Sequence, residues 1–309
     1  MKSNNHEEED LNFRSYQGIT FWKSGLYTQR ARARTKTMNG SAKEKTMAEY
    51  QMKLVDRLRI ARDTMAFRFE PNDAAFEFRA GQHADFAFSH AYAGIEMNDS
   101  RTFSLASAPL DKSRVTIAMR MRKTSSFKTA LQAAPLGTQF TVSRPRGSFT
   151  LHRDITRAAV LIAGGIGIAP IRSIIQQATL ERLPHRLYLF YSNREVEDAA
   201  FLEDIEEMTA QNPNLTLIPT LSGRRTIAWP YEKGHVTREM LKRYVLWLNG
   251  PIYYIAGPSG MVTGMAALLA SSGINDDDVR TEEFGDYKPY QTSPQVDQGT
   301  DDIRSNSAH

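Results

Sequence analysis

The residues with the clearest chemical pattern form a glycine-rich turn, Gly164-Gly165-Ile166-Gly167-Ile168-Ala169-Pro170. Glycines let a backbone approach phosphate closely, and the first amides of a following helix point outward with the positive end of the helix dipole behind them. Pro170 suits a first helical turn, although it stands where the usual dinucleotide fingerprint has its third glycine. The turn indicates a pyrophosphate site, and the alternative is a tight strand-to-helix turn without a ligand.

The elements that would position this turn follow from the hydrophobic pattern on either side of it. The apolar run 158–163 predicts a buried strand, and the segment after it repeats apolar residues on one helical face: Ile171, Ile174, Ile175 and Ala178. Further strands are predicted at 187–191, 215–219 and 252–256, and helices at 199–210, 237–248 and 259–270. This alternation of strand and helix predicts a doubly wound parallel α/β domain over residues 155–287.

Residues 47–154 have another pattern, in which short strand-like stretches are separated by Gly, Pro, Asp and Asn. The clearest stretch is 114–122, where apolar and more polar residues alternate, so that one face should be buried and the other partly polar. Further strands are predicted at 52–58, 65–69, 83–88, 101–107 and 139–143, with turns at 71–73 and 145–147. We expect an antiparallel β-barrel of six strands.

Several short motifs, taken in chain order, resemble those of the ferredoxin-NADP reductase family, in the form without an iron-sulfur domain. Arg101-Thr102-Phe103-Ser104 resembles the flavin motif Arg-x-Tyr-Ser, with Phe103 in place of the tyrosine. The other matching segments are 123–131 (phosphate binding), 145–149 (barrel closure), 164–170 and 257–261 (the two nicotinamide-nucleotide loops) and 282–284 (Glu-x-aromatic). The resemblance covers roughly residues 50–287 and leaves out both ends of the chain.

The resemblance implies an FAD site on the barrel. Arg101 would pair with the FAD pyrophosphate, Phe103 would lie against the isoalloxazine ring, and Ser104 would face flavin N5. The other implied FAD-binding residues are Thr102, Ala118, Met119, Arg120, Ser126, Phe127 and Lys128. The alternatives are that Phe103 is an ordinary core residue and that Arg120 and Lys128 are solvated cations. Without the tyrosine hydroxyl, one hydrogen bond to the cofactor is lost, so flavin should be held more loosely.

The resemblance also implies a nicotinamide-nucleotide site. Its pyrophosphate would lie on Gly164, Gly165, Gly167, Ile168 and Pro170, and its nicotinamide near Gly257, Pro258, Met261 and Phe284. Ala256 stands where many relatives have cysteine, which puts a thiol role in doubt. Glu282 would tune the geometry or relay a proton near Ser104, with a surface carboxylate as the alternative. Around the adenosine 2′-position we expect Asn193, Arg194, Ser222, Arg224 and Arg225, whose cations favour NADPH over NADH unless they are only solvated.

The resemblance therefore implies an FAD-dependent NAD(P)H oxidoreductase, in which hydride passes to flavin N5 and electrons then pass to a separate acceptor. The sequence has no cysteine, which excludes a cysteine-ligated iron-sulfur cluster within this polypeptide. The acceptor would be a ferredoxin, a haem protein, ferric iron, free flavin, quinone or oxygen. One alternative is a flavin-holding, catalytically silent subunit of a larger redox complex. Another is an electron carrier whose N-terminal arm docks on a membrane or an acidic protein.

Composition bounds the remaining features. The 309 residues suit two domains, and the net charge of +4 is already reached within residues 1–46, which carry nine Lys or Arg and five Asp or Glu. We expect a flexible basic arm at 1–46 and a disordered polar tail at 288–309, with no nucleic-acid surface and no metal site. The longest apolar run, 158–171, is shorter than the roughly 20 residues of a membrane span. With no secretory pattern at the N-terminus, we expect a cytoplasmic location.

Overall fold

The computed structural model of the protein describes residues 49–72, 76–96, 99–121, 125–223 and 228–285. The predicted arm at 1–46, the predicted tail at 288–309, and Arg122, Lys123, Arg224 and Arg225 lie outside these ranges. Within them, the secondary structure forms two sheets of six strands each, one antiparallel and one parallel. None of the helices in the described part of the chain is long and apolar enough to cross a membrane.

The first sheet is an antiparallel barrel in the strand order β4-β3-β6-β1-β2-β5. Its strands are β1 (Glu49–Ala61), β2 (Thr64–Pro71), β3 (His83–Phe88), β4 (Arg101–Ser104), β5 (Val115–Arg120) and β6 (Gln139–Ser143). A bridge between Leu105 and Ile117 joins the two edge strands and closes the barrel. Alternate residues of the strands fill its interior with phenylalanines, among them Phe67, Phe69, Phe86, Phe88 and Phe140.

Three details of the barrel differ from the sequence-based expectation. The predicted strand 101–107 ends at Ser104. Beyond it, Leu105 forms only an isolated bridge, and Ser107 O and Ala108 N bond to Ser173 and Gln176 of the other domain. The expected polar face of β5 is restricted to Arg120, since Thr116 and Ala118 are also buried. Helix α1 (Ser126–Ala133), which begins at the capping residue Ser125, was not predicted as a helix.

The second sheet is parallel, in the order β10-β9-β8-β7-β11-β12. Its strands are β7 (Ala159–Gly164), β8 (Leu187–Asn193), β9 (Leu215–Leu221), β10 (Glu232–Lys233), β11 (Ile252–Gly257) and β12 (Val279–Glu283). Helices α2 (Ile168–Leu180) and α3 (Leu202–Gln211) pack on one face, and α4 (Arg238–Tyr244) and α5 (Ser259–Ser271) on the other. The predicted doubly wound fold is therefore confirmed, with α4 four residues shorter than expected at its C-terminal end.

The strand order places the functional loops. In the sheet, β7 lies between β8 on one side and β11 on the other. The chain first adds strands on the β8 side and later on the β11 side, so the strand order reverses between β7 and β11. In open α/β sheets, ligands bind at the carboxyl ends of the strands at such a switch point. The loops that follow β7 and β11 are the two glycine-containing segments at 164–170 and 257–261, so the fold brings both to one edge.

Candidate functional site

A cleft of about 1380 Å³ opens between the barrel and the carboxyl edge of the parallel sheet. Most of the predicted site residues line it: Arg101, Thr102, Phe103, Ser104, Ala118, Met119, Arg120, Ser126, Lys128, Gly164, Gly165, Asn193, Arg194, Ser222, Pro258, Met261, Glu282 and Phe284. The fold therefore gathers into one cleft residues that are distant in the sequence and lie on both domains.

Five predicted residues lie behind the cleft wall rather than on it: Phe127, Gly167, Ile168, Pro170 and Gly257. Gly167 is needed for packing, because a Cβ on it would lie 2.1 Å from the carbonyl oxygen of Ala256 on β11. No side chain fits at that distance, so the glycine lets the turn after β7 rest directly on the neighbouring strand.

The two glycine-containing loops contact each other through Met261. A Cβ on Gly164 would lie 2.2 Å from Met261 Sδ, and a Cβ on Gly257 would lie 3.1 Å from the same atom. Gly165 has φ +52°, in the left-handed region that favours glycine, and nothing lies within 4 Å of its would-be Cβ. The open space over Gly165 is a cradle in which a ligand could approach the backbone.

At the centre of the cleft, Ser104 at the end of β4 donates a hydrogen bond to Glu282 Oε1 on β12. Ser104 is buried, and Glu282 is partly buried. Burial raises the pKa of Glu282 to about 7, and the hydrogen bond from Ser104 acts in the opposite direction. A carboxyl group with such a pKa can hold or release a proton near neutral pH.

Cationic groups gather at the barrel end of the cleft. The Arg101 guanidinium pairs with Asp99, donates to Ser100 O at 2.8 Å, and lies 5.6 Å from the ring centroid of Phe127. Lys128 Nζ donates to Arg120 O at 3.0 Å. Asp99 balances the charge of Arg101. With the N-terminus of α1 at Ser126, Arg101 and Lys128 provide hydrogen-bond donors that suit a pyrophosphate.

Phe103 belongs both to the core and to the cleft. It is 8% exposed, and its ring centroid lies 6.0 Å from that of Phe86 and 6.1 Å from that of Phe127. It also lines the cleft beside Ser104. The position of Phe103 is therefore compatible with both roles considered from the sequence, packing in the barrel core and lying against a flavin ring.

The tips of β8 and β9 form the other end of the cleft. Asn193 is 5% exposed, and its Oδ1 finds no hydrogen-bond partner among the described residues. Ser222 Oγ donates to Asn193 O at 3.3 Å, while Arg194 is exposed. A buried acceptor without a partner is costly unless a ligand or water satisfies it. The unpaired oxygen and the cradle over Gly165 both fit a nucleotide along this edge.

Sequence reasoning missed His83, which also lines the cleft. His83 lies opposite Ser104 in the β3–β4 ladder, and burial, followed by the charge of Arg146, lowers its pKa. Nearby, Asp85 accepts hydrogen bonds from Arg146 and Thr102, which lower its pKa although burial acts against them. The sequence does contain a signal for this position. His83 is the first residue of the predicted strand 83–88, and antiparallel pairing of that strand with the next one places His83 opposite Ser104.

Comparison with known proteins agrees with this geometry. The oxidoreductase FAD-binding domain model matches residues 51–151, and the oxidoreductase NAD-binding domain model matches residues 161–267. The fold and the cleft thus define a two-domain FAD- and nicotinamide-dinucleotide-binding oxidoreductase. The chain belongs to the ferredoxin-NADP reductase-type family, and the predicted family and the predicted cofactors, FAD and NAD(P)H, are confirmed.

Two relatives are components of oxygenase systems. The chain is 28% identical over 236 residues to the xylene/toluene monooxygenase electron transfer component of Pseudomonas putida, covering 75% of this chain and 64% of that protein. It is 29% identical over 245 residues to the propane 2-monooxygenase reductase component of Mycolicibacterium goodii, covering 77% of this chain and 66% of that protein. The chain thus spans slightly less than two thirds of the length of either relative.

Solved structures show the same fold. An Amycolatopsis cytochrome P450 reductase matches with a TM-score of 0.67 at 22% identity, over 77% of this chain and 70% of that one. The FAD/NAD-binding domain of nitric oxide dioxygenase from Vibrio cholerae matches with a TM-score of 0.67 at 18% identity, over 76% and 98% of the two chains. At these identities the likeness concerns the fold alone.

Proposed function

We propose that the protein is an FAD-dependent NAD(P)H reductase that transfers electrons to a separate acceptor protein. The observation that carries this proposal is the Ser104–Glu282 contact, which joins the flavin-motif strand to the last strand of the nucleotide domain inside one cleft. FAD, when bound, would accept hydride from the nicotinamide and release the electrons one or two at a time. In this proposal residues 47–154 form the FAD domain and residues 155–287 the nucleotide domain.

The barrel side of the cleft would hold FAD. Arg101, Lys128 and the first amides of α1, beginning at Ser126, would bind its pyrophosphate, because they are hydrogen-bond donors at the barrel end of the cleft. Phe103 would support the flavin ring, with Ala118, Met119 and Arg120 of β5 along the same wall.

The sheet side would hold the nicotinamide dinucleotide. The turn at Gly164 and Gly165 would accept the pyrophosphate, and Pro258 and Met261 would bound the nicotinamide. Asn193 Oδ1 would accept a hydrogen bond from a ribose hydroxyl, which would satisfy its buried, unpaired oxygen. Arg194 and Ser222, together with Arg224 and Arg225 outside the described ranges, remain the proposed reason for preferring NADPH over NADH.

Glu282 and Ser104 would act at the point where the two cofactors meet. With a pKa of about 7, Glu282 can hold or release a proton near neutral pH, and the Ser104 hydroxyl keeps the carboxyl group in place by donating a hydrogen bond to it. The narrow contact between the loops at Gly164 and Gly257 would exclude water from this point and orient the nicotinamide, since hydride transfer needs reacting atoms about 3 to 3.5 Å apart.

The proposed acceptor is a separate protein of an oxygenase system. The names of the two relatives, an electron transfer component and a reductase component of monooxygenases, support this choice. Because these 309 residues contain no cysteine, any thiolate-held iron-sulfur cluster in the electron path would be held by residues outside this sequence.

The test is the absorbance spectrum of the purified protein before and after anaerobic addition of NADH or, separately, NADPH. Flavin absorbance that bleaches supports the reductase, and the faster nucleotide identifies the donor. Flavin that stays oxidised with both nucleotides refutes the reductase and supports the catalytically silent flavin-holding subunit. A protein that retains no FAD after it is supplied refutes both.

A further inference from the structure

Strand β12, which carries Glu282, lies at the edge of the parallel sheet and pairs with β11 alone. In this ladder Arg280 lies opposite Tyr254, and Glu282 lies opposite Ala256. Because side chains two residues apart on a strand point to the same face, Arg280 and Glu282 extend from the same side of β12. An edge strand held on one side only depends on such side-chain contacts for its exact position.

Arg280 makes those contacts. Its Nη1 donates to Thr150 O and to the hydroxyl of Tyr254 at 2.9 Å, and its guanidinium carbon lies 5.1 Å from the Tyr254 ring centroid. Tyr254 is fully buried, and its hydroxyl also donates to Thr150 O at 3.2 Å and accepts from His152 N at 2.8 Å. Thr150 and His152 belong to the segment that leaves the barrel, so Arg280 ties β12 to the end of the flavin domain.

The same face of β12 thus contacts the barrel domain at two points, through Arg280 at Thr150 and through Glu282 at Ser104. We propose that Arg280 is a positioning residue for the hydride-transfer site: it fixes β12 so that the Glu282 carboxyl stays against Ser104. This inference rests on the proposed reductase function. Displacing a reacting group by about 1 Å can slow a reaction as much as 100-fold, so a fixed strand has a direct effect on rate.

The first test is a double-mutant cycle on the FAD-loaded protein. The rate constant of anaerobic flavin reduction at saturating nucleotide is measured by stopped-flow absorbance for the wild type, R280M, E282Q and R280M/E282Q. We expect R280M to slow reduction about 10-fold, and R280M/E282Q to be hardly slower than E282Q, because Arg280 acts through Glu282. Effects that multiply in the double variant overturn the proposal, as does an E282Q rate equal to that of the wild type.

Arg62 provides a matched control. It is a second arginine that joins the two domains, through a bidentate pair with Asp198 at 2.9 and 2.7 Å, and its side-chain hydrogen bonds within the described residues do not involve β12. We expect R62M and E282Q to have multiplicative effects, because the two sites are independent. R62M could instead show the same non-additivity with E282Q as R280M does. Any loosening of the domain boundary would then explain the effect of R280M, and the proposed specific role of Arg280 would be refuted.

Y254F keeps the proposal testable if R280M does not fold. It leaves the ring under the guanidinium but removes the hydroxyl that accepts the Arg280 hydrogen bond. We expect Y254F to slow flavin reduction less than R280M, by about 3-fold, and to lose that effect on the E282Q background. If Y254F slows flavin reduction as much on the E282Q background as it does in the wild type, the proposal is contradicted.

The pH profile of flavin reduction separates positioning from simple loss of charge. Removing a nearby cation would by itself raise the pKa of a carboxyl, whereas hydration of a loosened Glu282 would lower it from about 7 toward its ordinary value. The other charged or titratable groups lining the same cleft are His83, Arg101, Arg120, Lys128, Arg194, His235 and Glu283.

We expect the midpoint of the profile to move to lower pH in R280M while the KM for the nucleotide changes little. A midpoint that stays in place or moves to higher pH overturns the positioning role. A wild-type protein whose flavin is not reduced by either nucleotide refutes the proposed function itself, and that outcome is distinguishable from a negative result for Arg280 alone.

Discussion

Replacing Glu282 with glutamine should change how the stability of the protein depends on pH. Burial raises the pKa of this carboxyl from its ordinary 4.5 to about 7. Between those values the folded protein holds a proton that the unfolded chain releases, so stability falls as pH rises through this window. At 1.36 kcal/mol per pKa unit, the full cost above about pH 7 is about 3 kcal/mol. Glutamine mimics the protonated side chain and removes this cost.

The assay is urea unfolding of the FAD-loaded wild type and E282Q at about pH 5 and about pH 8. We expect E282Q to be more stable than the wild type by about 3 kcal/mol at the higher pH and by about 1 kcal/mol at the lower pH. E283Q is the matched control, since Glu283 is the adjacent, exposed carboxylate, and it should follow the wild type. An E282Q variant whose advantage does not grow with pH would show that Glu282 is hydrated and would refute the buried, proton-holding carboxyl.

Three further outcomes follow from the geometry of the cleft. S104A removes the hydrogen bond that lowers the pKa of Glu282, so the midpoint of the pH profile of flavin reduction should move upward. G167A places a Cβ 2.1 Å from Ala256 O and should lower the free energy of unfolding by about 1 to 3 kcal/mol in urea titrations, whereas G264A, with nothing within 4 Å, should not. F103Y adds a hydroxyl at the cleft wall and should tighten FAD binding about 5-fold, measured by fluorescence titration of the apoprotein, whereas unchanged affinity would show that the hydroxyl finds no partner.

The two sheets could be predicted from the sequence because their strands have clear patterns. The predicted strands 83–88 and 139–143 coincide with β3 and β6, and β11 exceeds its prediction by one residue. Alternation in the barrel and apolar runs before helices in the second domain are local signals, which is why they survive in a single sequence. The confirmed fold class follows from these signals and from the order of the motifs.

The misses lie where tertiary contacts decide the structure. Helix α1 is an exception, because it has a local signal, with Ser125 as its cap and Phe127, Ala130 and Leu131 on one face, within the segment predicted to bind phosphate. The segment after β4 bonds to Ser173 and Gln176, which are distant in sequence. The raised pKa of Glu282 depends on burial between two domains, and no local pattern reports it.

The resemblance anticipated that Glu282 lies near Ser104, but not how the fold maintains a contact between residues 178 positions apart. On one side, α2 begins just after the glycine turn and bonds through Ser173 and Gln176 to the segment that follows Ser104. On the other side, Arg280 ties β12 to Thr150. Both partners of the central contact are thus held by hydrogen bonds that cross the domain boundary.

In this arrangement, retention of FAD and the rate of flavin reduction should depend on different parts of the chain. In the proposed function, cofactor retention depends on groups within one domain, such as Arg101 and Lys128, which line the barrel side of the cleft. Hydride transfer would depend in addition on the relative position of the two domains, because the glycine-containing loops that follow β7 and β11 and the barrel residues line one cleft. We therefore expect changes at Ser173 or Arg280 to act on the rate of flavin reduction rather than on the amount of FAD bound, although neither residue lines the cleft.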